Sequence, residues 1–192
     1  HWRENRDLSG NNIMHMGIFY ESAMRWLGTA SSVMAVSNVN VKKRHSSETG
    51  HLMDISIPDH LEAIGEMNIG GNFHLSHSTV LGGAEKIKIN IYGTNSTLRI
   101  SEDPSSKILQ SHNTSKLKME ILNKNSNKWK ELKPKKSQIG KWRVEEEFIN
   151  AIKGKEKISH TTFSDGVKYM QFADALKISS ESNRKVYLPL SK

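Results

Sequence analysis

The chain has no cysteine among its 192 residues, which excludes disulfide bonds, a thiolate nucleophile and any metal site built on sulfur ligands. Prolines number only 4, aromatic residues make up 7%, and no apolar run approaches the roughly 18 residues of a membrane-crossing helix. No charged-then-apolar secretory segment opens the chain. These absences predict a soluble globular protein of a reducing compartment, and we expect it in the cytoplasm.

Negative charge is the scarcer sign, with 20 Asp and Glu against 28 Lys and Arg, for a net charge of +8. Much of the excess lies in residues 128–143, where Trp129 and Trp142 are set among lysines. Such rings could stack on nucleic-acid bases, whereas in the alternative interpretation the lysines keep an exposed strand edge soluble. No signature of a nucleic-acid-binding module accompanies the segment, so we favour the second interpretation and expect no nucleic-acid partner.

Hydrophobic periodicity predicts one helix, a run of strands, two further helices and a final strand. Strands with one apolar and one polar face are typical of antiparallel sheets. We therefore expect an α+β fold, with an open, predominantly antiparallel β-sheet and helices packed on one face. The residues from His45 to Asp59 are predicted to form a variable connection. The predicted strands are Ser31–Val41, His60–Ile69, Phe73–Leu81, Glu85–Tyr92, Thr97–Ile100, Lys107–Gln110, Lys116–Leu122, Lys128–Leu132 and Lys185–Leu190.

The predicted helices run from about Asn12 to Leu27, from Val144 to Gly154 and from Phe163 onward, the last with Thr162 or Ser164 as its N-cap. The first helix has a core stripe and a neighbouring second stripe, and we expect any chemistry on the second. The core stripe is Ile13, Met16, Tyr20, Met24 and Leu27; the second stripe is His15, Phe19, Ser22 and Trp26; the later helices have the apolar stripes Val144, Phe148, Ile149, Ile152 and Phe163, Val167, Met170, Leu176.

The segment from Ser9 to Gly28, SGNNIMHMGIFYESAMRWLG, resembles a segment of the C-terminal domain of the Gfo/Idh/MocA family, the glucose–fructose oxidoreductase and inositol dehydrogenase family. Three later pieces follow in the same order as in that family. Residues 89–100 are similar to its I-x-I-x-G-x-x-G-x-L-x-I hairpin, residues 163–182 to its terminal helix and residues 184–189 to its closing strand. The matching positions in the first segment are Gly17, Arg25, Trp26, Leu27 and Gly28.

The resemblance implies an NAD(P)-dependent oxidoreductase that transfers hydride at a CH–OH carbon of a sugar, an inositol or a related polyol. Neither a G-x-G-x-x-G turn nor an alternating βαβ pattern is present, and the family's E-K-P segment is missing too. We therefore interpret residues 1–192 as a single substrate-binding and oligomerisation domain from a longer protein. NAD or NADP would be bound mainly by an N-terminal Rossmann domain that is absent from this chain, and the fragment alone would be inactive.

The resemblance also implies where a site would lie. Two Asp positions of the family fall on His15 and Ser22, and its His, which commonly acts in proton transfer, falls on Phe19. A phenyl ring cannot hold a proton, so we predict that His15 takes over part of this role, and that Arg3, His15, Phe19 and Ser22 bind the substrate. In the alternative interpretation, His15 is a polar residue near a helix start, and Arg3 pairs on the surface with an acidic neighbour.

Phe19 also supports a second functional hypothesis, that the chain is a degenerate family member that binds a ligand, or only assembles, without catalysis. The family implies a homodimer or homotetramer formed through the open sheet face. A metal is not expected, because His74 and His77 lie three apart on one predicted strand and so point to opposite faces. No motif with the spacing of metal ligands occurs elsewhere in the sequence.

Overall fold

The computed structural model describes residues 5–10, 15–83, 87–102, 117–135, 137, 140, 142–159 and 161–191. Within these ranges the chain forms helices and antiparallel strands, which divide into two compact units, His1–Leu81 with Val144–Lys192 and Gly82–Arg143. The elements are α1 Arg6–Ser9, α2 Met16–Leu27, β1 Ala30–Asn38, β2 Lys43–His45, β3 Leu52–Asp54, β4 His60–Met67, β5 Asn72–Ser78, β6 Lys88–Tyr92, β7 Ser96–Glu102, β8 Leu117–Asn123, β9 Lys130–Glu131, α3 Val144–Ile152, α4 Phe163–Ser182 and β10 Val186–Tyr187.

The first unit is built on a four-stranded sheet with the order β10-β1-β4-β5 and a separate β2-β3 hairpin. All of these strand pairs are antiparallel. The period-two pattern of β1 and β4 places small and branched apolar residues on one sheet face, where α2 and α4 bury them. The buried cluster is Met16, Tyr20, Ala30, Val33, Ala35, Leu61, Ala63, Phe172, Ala175 and Leu176.

Serine hydroxyls join α4 to β1 inside this unit. The fully buried Ser179 accepts a hydrogen bond from the backbone N–H of Ala35 at 2.9 Å and donates one to the carbonyl oxygen of Arg184 at 2.6 Å. One residue further along α4, the Ser180 hydroxyl accepts from the backbone N–H of Ser37 at 3.0 Å. These bonds satisfy polar groups of an inner strand and fix the rotation of α4 on the sheet.

Gly65 allows a close approach within the sheet. A Cβ atom at this position would lie 2.1 Å from the carbonyl oxygen of Ser32 and 2.6 Å from the ring of Phe73. Because real Cβ atoms do not come that near, only glycine lets the Phe73 ring cross β4 toward Phe172, with 6.1 Å between the ring centroids.

The predicted connection from His45 to Asp59 is more ordered than expected, because it contains β3 and ends on a buried carboxylate. Asp59 accepts hydrogen bonds from the backbone and side-chain N–H groups of Asn40 and from the backbone N–H of Val41, at 2.8–2.9 Å. Burial raises the pKa of Asp59, but these donors and the charge of Arg44 outweigh it and lower the pKa overall. The short β2-β3 strands gave no clear signal, since their residues are almost all exposed.

The second unit is a four-stranded antiparallel sheet with the order β6-β7-β8-β9. Cross-strand neighbours place Ile91, Leu98 and Ile121 together on one face. On the other face, the guanidinium of Arg99 lies 3.9 Å from the ring centroid of Trp129. Trp129 therefore packs against Arg99 of its own sheet.

The prediction of an α+β fold with antiparallel strands is confirmed, with differences at the element ends. Helix α2 begins at Met16 rather than near Asn12, because His15 adopts a left-handed backbone conformation with φ 63°. The first strand ends at Asn38 rather than Val41, and the strands predicted over Lys128–Leu132 and Lys185–Leu190 shrink to β9 and β10. The strand predicted over Lys107–Gln110 lies outside the described residues.

The helix N-cap at Thr162 is confirmed, and it forms a capping box with Asp165. The hydrogen bonds from Thr162 and Lys168 lower the pKa of Asp165 to about 2. The predicted stripe of α4 is wrong at Phe163, Val167 and Met170, which are all exposed, Phe163 to 96%. The buried face is formed around Phe172 and Leu176. The stripe of α3 is likewise exposed in the described part of the chain. No described helix has both the length and the apolar character that crossing a bilayer would require.

The Ser179→Ala substitution tests the link between α4 and β1. It leaves the buried N–H of Ala35 and the carbonyl of Arg184 without their partner, so we expect a loss of about 1–3 kcal/mol in the free energy of unfolding, measured by chemical denaturation. The matched control is Ser182→Ala on the same helix, whose exposed hydroxyl donates only to the carbonyl of Ile178. Equal losses of unfolding free energy in the two variants would contradict the role of Ser179 in joining α4 to β1.

Candidate functional site

The position of α2 is fixed by Tyr20. Its ring stacks on that of Phe172 with 3.7 Å between centroids and 5° between planes, and its hydroxyl oxygen accepts a hydrogen bond from the backbone N–H of Ala30 at 2.7 Å. Burial raises the pKa of Tyr20, and the hydrogen bond from Ala30 offsets this in part. One helix residue thus contacts both α4 and the start of β1. As predicted, Met16 and Tyr20 of the core stripe are buried, whereas Ile13 of that stripe lies outside the described residues.

Because the core stripe is buried, the second stripe of α2 faces outward. Phe19 is 48% exposed, and Trp26 and Ser22 are exposed as well. The Ser22 hydroxyl donates to the carbonyl oxygen of Ile18 at 3.2 Å, as helix serines often do. His15 occupies the N-cap position without a side-chain capping hydrogen bond. The stripe therefore presents an imidazole, a phenyl ring, a hydroxyl and an indole along about three turns, from the N-cap to the last turn of α2.

The structure adds a residue that the sequence analysis did not include in the site. The ring centroid of His77 on β5 lies 5.0 Å from that of Phe19, with a tilt of 57° between the rings. The alternation along β5 placed His77 on the same sheet face as Phe73 and Leu75, toward the helices. Nothing in the sequence indicated which helix residue would meet it, because that depends on how α2 lies across the sheet.

Two arginines remain to be placed, Arg3, which was predicted to bind substrate, and Arg25, which matches the family segment. Arg3 lies outside the described residues. Arg25 forms an ion pair with Glu21, and both side chains hydrogen-bond to the hydroxyl of Thr161. Arg25 therefore ties the end of α2 to the residue before the N-cap of α4, which gives it a structural role.

His74, three residues before His77, points to the opposite sheet face. Its Nε2 lies 3.0 Å from one carboxylate oxygen of Glu62, and the other oxygen accepts a hydrogen bond from the Ser76 hydroxyl at 2.5 Å. His60 Nε2 lies 3.4 Å from the same carboxylate. The divergence of the two strand histidines agrees with the alternation in the sequence. In the part of the chain that the structure describes, no three His, Asp or Glu side chains are grouped as a metal site.

The described residues do not fit a nicotinamide dinucleotide by themselves. Dinucleotide sites use a helix N-terminus behind a parallel strand and a glycine-rich turn. Every strand pair in the first unit is antiparallel, and the helix that carries the site begins with His15 in a left-handed conformation. The exposed stripe of α2 can instead contact a small polar molecule, through hydroxyl and imidazole hydrogen bonds and through the Phe19 ring.

Residues 1–188 match a family model described as the C-terminal alpha/beta domain of an oxidoreductase family. No curated protein matches the sequence. Among solved structures, a levoglucosan dehydrogenase in complex with NADH and levoglucosan is similar with a TM-score of 0.76 and 15% identity, over 99% of this chain and 54% of that chain.

Two more structures show the same fold. An NAD binding oxidoreductase from Klebsiella pneumoniae has a TM-score of 0.74 and 16% identity, over 100% of this chain and 54% of that one. An aldose-aldose oxidoreductase from Caulobacter crescentus, complexed with glycerol, has a TM-score of 0.66 and 17% identity, over 98% of this chain and 51% of that one. The chain thus spans about half the length of these proteins.

The Tyr20→Phe substitution tests what holds α2 in place. The stacked ring is kept, but the buried N–H of Ala30 loses its acceptor, so we expect the free energy of unfolding to fall by about 1–3 kcal/mol in a urea titration. The control is Tyr92→Phe, at an exposed tyrosine of β6 in the second unit. An unchanged stability for Tyr20→Phe would show that the hydrogen bond does not anchor the helix.

Proposed function

The chain belongs to the Gfo/Idh/MocA oxidoreductase family as its C-terminal α/β domain, and from this we propose that the full-length protein oxidises or reduces a CH–OH carbon of a sugar, an inositol or a related polyol with NAD or NADP. The match of residues 1–188 to the family carries the oxidoreductase class. The levoglucosan dehydrogenase and the aldose-aldose oxidoreductase among similar structures support a sugar-like substrate.

We assign residues 1–192 the role of a single substrate-binding and oligomerisation domain. The relatives are about twice as long, and we place dinucleotide binding in a further domain of the same protein. When bound there, the nicotinamide would accept or supply the hydride. The 192-residue chain alone is proposed to be inactive.

The residues of this chain would bind and orient the substrate. Phe19 offers an exposed apolar ring on which the C–H face of a sugar ring can rest. His15 and Ser22, one turn away on either side, supply groups that can hydrogen-bond to sugar hydroxyls, and His15 is proposed to take over part of the family's proton-transfer role. Arg3 remains a proposed substrate contact through its guanidinium.

The function is tested on the full-length protein with levoglucosan, myo-inositol and D-glucose, each with NAD⁺ and with NADP⁺, by the absorbance of the reduced dinucleotide. We expect turnover of at least one pair. The 192-residue chain is the matched control and should neither turn over nor enhance NADH fluorescence. Tight NADH binding by that short chain would contradict the domain assignment. Sugar binding by the full-length protein without turnover would favour the degenerate family member instead.

We further propose that a second copy of the chain covers the outer face of the first sheet. Exposed apolar side chains on this face are between 45% and 67% accessible, and they are bordered by the hydrogen-bonded Glu62 and His74 and by the ion pair Glu66–Lys185. An apolar centre with a polar rim is typical of protein interfaces. The apolar side chains are Met34, Val36, Ile64 and Tyr187.

The Ile64→Lys substitution tests this interface. A lysine at the centre of the face would place a charge in a buried contact, so we expect dimers or tetramers to dissociate to monomers in analytical ultracentrifugation. Leu52→Lys is the matched control, since Leu52 is as exposed but belongs to the β2-β3 hairpin. A monomeric wild type, or an assembly unaffected by Ile64→Lys, would contradict the proposal.

A further inference from the structure

We propose that His77 of β5 is a substrate-contacting residue, and that together with Phe19 it forms one binding surface for a sugar ring. The inference rests on the proposed function, because it names a group that would hold the substrate of that same site. His77 belongs to a strand and lies 58 positions from Phe19 in the sequence, so only the folded arrangement brings the two rings together.

The rings of Phe19 and His77 lie close to each other. With 5.0 Å between centroids, the rings of Phe19 and His77 are in direct contact. Phe19 is 48% exposed, so part of its ring remains open to a ligand. A molecule that contacts the exposed part of the Phe19 ring therefore lies next to the His77 imidazole. The tilt of 57° keeps the two rings from covering each other as a parallel stack would.

The two rings differ in the chemistry that they offer to a ligand. A phenyl ring offers an apolar surface, whereas an imidazole has two ring nitrogens that donate or accept hydrogen bonds. A pyranose or inositol ring has an apolar C–H face bordered by hydroxyl groups. Phe19 and His77 are therefore complementary to the two kinds of surface that such a molecule presents, and they are close enough to contact the same sugar ring.

The alternation of side chains along β5 distinguishes His77 from His74. His74 faces the opposite side, where its Nε2 contacts Glu62 at 3.0 Å. Of the two histidines of β5, His77 is the one on the side of α2. His15 lies on α2 one turn before Phe19, so the exposed phenyl ring has an imidazole along the helix and another across from it on the strand.

The test uses the full-length protein with levoglucosan, myo-inositol and D-glucose as probes. Binding is measured by titration calorimetry, and the histidine ring signals are followed by NMR, with His77 identified by the signal that His77→Asn removes. We expect a probe that binds the wild type to shift the His77 signal. His77→Asn should weaken that probe about tenfold, as the loss of one hydrogen bond would.

Two further variants distinguish the loss of a substrate contact from a general loss of structure. His51→Asn, at an exposed histidine between β2 and β3, should leave probe affinity unchanged. The double variant Phe19→His with His77→Asn returns an imidazole to the same place from the helix side, so it should recover affinity relative to His77→Asn alone. A merely structural role for His77 would not predict this recovery.

The outcomes distinguish this inference from the proposed function. Probe binding that is equal in the wild type and in His77→Asn, with an unmoved His77 signal, overturns the inference while leaving the oxidoreductase assignment intact. Binding that is lost in His77→Asn, in a wild type that turns over none of the probes, supports the inference and overturns the proposed activity. A wild type that binds none of the three probes overturns both the sugar class and the role of His77.

Discussion

The contact on which the rest of the first unit depends is that of Tyr20 with Phe172 and Ala30. Its stacked ring and its hydroxyl fix α2 to α4 and to the start of β1 at a single residue. Because a helix is rigid, holding one residue of α2 also sets the direction of every other side chain on it. The outward direction of Phe19, and so its meeting with His77, follows from that buried tyrosine.

Periodicity was sufficient to predict the α+β class, the antiparallel strands and the buried stripe of α2, because burial of one face leaves its mark at every second or every third to fourth residue. It failed where burial is not periodic. The first residues of α4 have an apolar pattern, yet Phe163 is exposed and the helix is buried only further along. The β2-β3 hairpin is nearly all exposed, so its sequence carries no such mark.

The candidate site could likewise be predicted only in part. The exposed stripe of α2 could be predicted, since it is the complement of the core stripe on one helix. The presence of His77 could not, because its distance from Phe19 depends on where α2 crosses the sheet, and this is set by contacts of Tyr20 with distant parts of the chain. Local pattern thus determines which way a residue points, and tertiary packing determines which residue it meets.

The second unit, Gly82–Arg143, is one unbroken stretch of chain between β5 and α3, while the first unit is completed by residues on both sides of it. In topological terms it is an insertion. Its described strands bond to one another in the order β6-β7-β8-β9, and none of them belongs to the ladder β10-β1-β4-β5. A change in the length of that stretch therefore adds or removes no residue within the paired strands of the first sheet.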